Sequence, residues 1–72
     1  MTEIVLRVRL IGGERLDVTY EAGGAPDEIV DRVISTLAED NGVLRCTHGG
    51  RLIVLFARSI ATVEVAPRGA VL

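Results

Sequence analysis

The sequence predicts a small α+β domain of order ββαβββ, an antiparallel sheet with one amphipathic helix packed on one face. Three observations lead there. The chain has 72 residues, enough for a single domain over 1–72. Its apolar residues alternate in short runs broken by Gly-Gly pairs, the pattern of half-buried strands. One stretch, about 26–40, changes to helical spacing.

Residues 3–11 read as the first strand, with Ile4, Leu6, Val8 and Leu10 on one face. Glu3, Val5, Arg7, Arg9 and Ile11 take the other face. Gly12-Gly13 marks a turn, and 15–21 forms the second strand with Leu16, Val18 and Tyr20 on its apolar face. A strict two-residue loop would set Leu10 against Arg15 and Val8 against Asp17, putting charge on the buried face. An odd-length or bulged loop is therefore expected. The expected register sets Leu10 against Leu16, Val8 against Val18, Leu6 against Tyr20 and Arg9 against Asp17.

Ala22-Gly23-Gly24-Ala25-Pro26 is a loop leading into the helix, where Pro26 suits the first position and Asp27 and Glu28 the first turn. Ile29, Val30, Val33, Ile34, Leu37 and Ala38 form its apolar stripe, and Asn41-Gly42 its stop. Residues 43–48 and 51–57 make a second hairpin on a type I′ Gly49-Gly50 turn. That turn puts Leu44 and Cys46 on one face with Ile53 and Leu55. Ala57-Arg58-Ser59 is a short break before a last strand, 60–66, and the tail 66–72 is expected to be loose.

One helix covers one sheet face. Leu52, Val54 and Phe56, with Val5 and Val43, would then leave an apolar outer face uncovered. A 72-residue chain with a single cysteine has no disulfide to supplement its small core. Self-association through Val5, Val43, Leu52, Val54 and Phe56 is the expected remedy, as a homodimer or a larger assembly. The other readings of that face are a different protein partner, a nucleotide or other small ligand, the tail folded over it, or a central, twisted strand at 51–57.

Charge and composition narrow the function classes. Eight basic residues, all arginine, stand against ten acidic ones, for a net charge of −2. Apolar types make up 49% of the chain, which excludes an ordinary disordered segment. No apolar run approaches a bilayer span, and Met1-Thr2-Glu3-Ile4 lacks the start of a signal peptide, so a cytoplasmic location away from membranes is expected. Arg7, Arg9 and Arg15 share a strand face and suit phosphate, the pattern of a nucleic-acid-binding regulator. Glu14, Asp17 and Glu21 among them, and aromatics at only 3%, weigh against nucleic acid as partner.

Cys46 and His48, two apart on one strand, offer two metal ligands, and only a site shared across a dimer would complete the set. A core-facing Cys46 would be an inert thiol. The loop before Pro26 resembles an anion site at a helix start, yet Asp27 and Glu28 repel phosphate, Pro26 removes an amide, and no P-loop lysine exists. No catalytic residue, cofactor or metal is expected, and the chain reads as non-enzymatic.

Gly42-Val43-Leu44, Thr47, Gly50-Arg51 and the run Ala57-Arg58-Ser59-Ile60-Ala61-Thr62-Val63-Glu64-Val65 resemble a small actinobacterial family, domain of unknown function 3107. The resemblance spans about 26–65 and implies the same element order, with a closing Ile-Ala-x-Val-Glu strand. The longer, more charged first hairpin and the short tail depart from the family's pattern. Some members are described as ATP-binding, and the family supplies no catalytic residues to carry over.

Overall fold

A computed structural model describes residues 2–65. The tail 66–72 lies outside the described residues. The elements run β1 (Thr2–Leu10), β2 (Arg15–Ala22), α1 (Pro26–Leu37), β3 (Val43–His48), β4 (Arg51–Phe56), a 3₁₀ turn (Ala57–Ser59) and β5 (Ile60–Val65). They build one antiparallel five-stranded sheet, ordered β4-β3-β2-β1-β5, so the ββαβββ α+β architecture stands.

The core follows the period-two pattern. Ile4, Leu6 and Val8 of β1, Val18 of β2, Leu44 and Cys46 of β3 and Leu55 of β4 are buried on the inner face. Ile29 and Val33 of α1 close over them. Removing this apolar surface from water is the main favourable term in folding.

The first hairpin has the odd-length loop expected of it, with a different register. Leu10 and Glu14 close the loop, with Leu10 N–H donating to Glu14 O at 2.8 Å and Gly13 N–H to Leu10 O at 2.9 Å. Gly13 has φ +96°, the left-handed residue of a three-residue bulged turn. Leu6 therefore faces Val18, Val8 faces Leu16 and Ile4 faces Tyr20. Arg7, not Arg9, opposes Asp17, and Arg9 opposes Arg15. The expected and observed registers differ by two residues, which keeps every side chain on its face. Burial alone does not separate them, and the tighter turn, which glycine permits at Gly13, decides. The second hairpin has its expected register, with Gly49 and Gly50 at φ +57° and +80°.

The helix ends at Leu37, earlier than the spacing suggested. Beyond Ala38 no apolar side chain remains to hold another turn against the core. The chain unwinds through turns in which Glu39 N–H donates to Thr36 O (3.3 Å) and Gly42 N–H to Glu39 O (2.9 Å). Gly42, expected with Asn41 as the helix stop, does not take a left-handed conformation, since positive φ occurs at Gly13, Gly24, Gly49 and Gly50. Its role is close approach: a Cβ there would run into the Thr36 carbonyl. Ile34 and Ala38, assigned to the apolar stripe, are exposed, Ile34 at 60%.

The strand order forces curvature. Phe56 ends β4 at one sheet edge, and Ile60 starts β5 at the other. A flat sheet would separate them by about 19 Å, whereas the intervening chain spans at most ~14 Å. The sheet therefore curls, and the 3₁₀ turn bridges its two edges. Ala57 N–H donates to Gly42 O (2.9 Å) at one end of that turn, and Ser59 O accepts from Ile11 N–H (3.0 Å) at the other. The strand 51–56 is an edge strand, so a central position does not account for its two apolar faces.

Candidate functional site

The outer face carries two surfaces of different character. Alternation along β4 points Leu52, Val54 and Phe56 away from the helix. Phe56 pairs with Val43 across β3–β4 and is 52% exposed, and Leu52 is 57% exposed. Four of the five expected interface residues, Val43, Leu52, Val54 and Phe56, thus gather at one corner of the sheet, with exposed Arg45 opposite Val54 on the same face. Val5 shares the face but not the corner. Its row runs Val5–Thr19–Thr47–Leu52 across four strands, so two threonines stand between Val5 and Leu52.

The other half of this face, on β2, β1 and β5, is charged and ordered in rows. One row is Asp17–Arg7–Glu64. Arg7 Nε donates to Asp17 Oδ1 at 3.3 Å, and its Nη1 lies 4.0 Å from Glu64 Oε1. The next row is Arg15–Arg9–Thr62. Arg7, Arg9 and Arg15 do come together, lining a cleft of about 160 Å³ with Thr62 and Glu64. Thr62 and Glu64 were not singled out from sequence, because only the pairing of β5 on β1 brings them there.

Farther along β1 and β2, Glu3 opposes Glu21. A hydrogen bond that the protonated Glu21 carboxyl donates to the Glu3 carboxylate, then repulsion between the two, raises the Glu21 pKa above its ordinary 4.5. The folded chain thus holds this proton more tightly than the unfolded chain. The resulting stability is present below about pH 4.5 and is lost as the pH rises through the raised value. Glu21→Gln keeps a hydrogen-bonding group and removes one charge. It should melt higher than the parent near pH 7, with the gain closing near pH 4. Thermal unfolding of both chains at each pH checks this, and equal melting at neutral pH would refute it.

Cys46 is buried, and burial pushes its thiol up to about 11, so it is protonated and unreactive at neutral pH. His48 does not turn toward it. Its Nδ1 lies 2.6 Å from the Asp17 backbone carbonyl, to which the ring N–H donates. Among the described residues, no three His, Cys, Asp or Glu side chains are placed to hold a metal. At the helix start the Glu28 carboxylate accepts Ala25 N–H at 2.9 Å, filling the place an anion would take.

No family model, curated protein or solved structure matches the chain.

A groove of about 420 Å³ opens where the curled sheet leaves α1 and β5 apart, lined by Val30, Ile34, Leu37, Ile60, Val63 and Val65 among others. Its wall is almost entirely apolar. Small-ligand sites pair such walls with a few convergent polar groups, and among the described residues Thr62 is the one polar side chain on this lining. No helix of the described residues is long and apolar enough to cross a membrane.

Proposed function

We propose that this chain is a small non-enzymatic interaction or regulatory module that associates with itself through the outer face of the β3–β4 hairpin. One observation carries the reading: Val43, Leu52, Val54 and Phe56 are exposed together at one corner of the sheet face opposite the helix, where Arg45 is the one charged residue of the β3–β4 pairing on that face. Packing two such corners around a two-fold axis places like against like, the commonest geometry of soluble homo-oligomers. Phe56 is the anchor, because large aromatic groups dominate interface energy. A cytoplasmic location and membership of the actinobacterial family, domain of unknown function 3107, belong to the same proposal. The family part rests on the motif residues between 42 and 65.

Light scattering on a sizing column, over a range of concentrations, tests it. The parent chain should run as a dimer or larger assembly. Phe56→Asp should weaken association by about 2 kcal/mol or more while leaving the far-ultraviolet circular dichroism unchanged. A parent chain that is monomeric throughout, or a variant of unchanged mass, would overturn the proposal.

A further inference from the structure

Two neighbouring rows of the charged surface use the same three strands and are built differently. In Asp17–Arg7–Glu64 the central arginine stands between two carboxylates. In Arg15–Arg9–Thr62 the flanking positions hold a second arginine and a hydroxyl. Among the described residues neither Arg9 nor Arg15 forms an ion pair. Glu14, beside Arg15 in sequence, has its carboxylate next to Gly12.

The hairpin geometry sharpens the contrast. Leu10 and Glu14 form a hydrogen-bonded closing pair, so Arg9 and Arg15 occupy the adjacent non-bonded pair. Opposed side chains come closest at such pairs, and like charges placed there destabilise a sheet. The fold therefore sets two arginines opposite one another on one face, neither ion-paired among the described residues, while Glu64, the one carboxylate that lines their cleft among those residues, lies toward Arg7. Each guanidinium is a planar fork of N–H donors that matches an oxyanion. Thr62 adds a hydroxyl donor on the far side of Arg9.

We propose that the cleft between Arg9, Arg15 and Thr62 binds a phosphate group. Arg9 and Arg15 donate to its oxygens and Thr62 completes the contact. Arg7 lies at the cleft wall with its charge already met by Asp17 and Glu64. The volume of about 160 Å³ suits a single oxyanion rather than a whole nucleotide, so the rest of the ligand extends over the surface. That phosphate belongs either to a nucleoside monophosphate or to a nucleic-acid backbone, and the chemistry at the cleft is shared.

The test is a titration with inorganic phosphate against chloride at constant ionic strength, following the backbone amide signals of Arg9, Arg15 and Thr62. Saturable shifts with phosphate alone are expected. Arg9→Gln/Arg15→Gln should bind phosphate at least tenfold more weakly. It should remain folded and at least as stable, because the like-charge pair is gone. Arg58→Gln, in the 3₁₀ turn, should bind as the parent does. Competition with adenosine monophosphate and with a short single-stranded RNA then assigns the source, according to which one displaces phosphate. Shifts that chloride reproduces, or a double variant that keeps its affinity, would overturn the proposal.

Discussion

Alanine in place of Ile29 should remove most of this protein's stability. Ile29 is fully buried in the first turn of α1 and, with Val33, carries the helix onto the inner face of the sheet. Truncating a buried isoleucine to alanine costs about 2–5 kcal/mol, through lost burial and the cavity left behind. A domain of this length has only about 4–11 kcal/mol in total. The loss also spreads. Ile4, Leu6, Val18 and Leu44 lie under the helix and become exposed if it lifts. Urea unfolding followed by circular dichroism should show the midpoint falling by half or more. The exposed neighbour Ile34→Ala should change the unfolding free energy by less than about 0.5 kcal/mol. Equal effects at the two positions would mean that the helix is not seated as described.

Gly42→Ala should be nearly as damaging, for a different reason. Glycine to alanine ordinarily stabilises by about 0.4–1 kcal/mol when the backbone tolerates a Cβ. Here the added carbon would run into the Thr36 carbonyl, and backbone does not rotate aside as a side chain does. Gly42 is also held at both of its polar groups. Its N–H donates to Glu39 O, and its carbonyl accepts from Ala57 N–H, each at 2.9 Å. Relief requires moving either the end of the helix or the 3₁₀ turn that joins the curled edges of the sheet. A loss of roughly 3 kcal/mol or more is expected. Gly12→Ala is the control, since its Cβ would meet only the Glu14 carboxylate, at an ordinary 3.5 Å. Matched denaturation curves for Gly12→Ala and Gly42→Ala would show that the close approach at Gly42 carries no cost.

The candidate sites were legible to different degrees. Phe56, Val54 and Leu52 could be placed together on one face by alternation, and the Gly49-Gly50 turn set them opposite the face of Leu44, Cys46, Ile53 and Leu55. Arg7, Arg9 and Arg15 could be placed on one face by the same rule. Their partners could not. Which arginine meets Asp17 depends on a two-residue slip that leaves every face unchanged, and the turn at Gly13 settles it. Thr62 and Glu64 enter the cleft because β5 returns along β1, a pairing between residues more than fifty positions apart. The groove beside α1 exists because the sheet curls and the helix stops at Leu37.

The amino-acid sequence by itself determined the element types and their order, the inner and outer faces of the strands, and the type I′ turn at Gly49-Gly50. Each of these follows from local chemistry: side-chain period, backbone freedom at glycine, and the fixed φ of proline. Tertiary structure alone decided the edge position of β4, the curl that brings β4 and β5 together, and the separation of Val5 from the Phe56 corner. Those depend on where distant strands pair and on whether a three-residue turn can bridge two sheet edges. Such choices leave local burial almost unchanged, so they leave almost no trace in the pattern of residues.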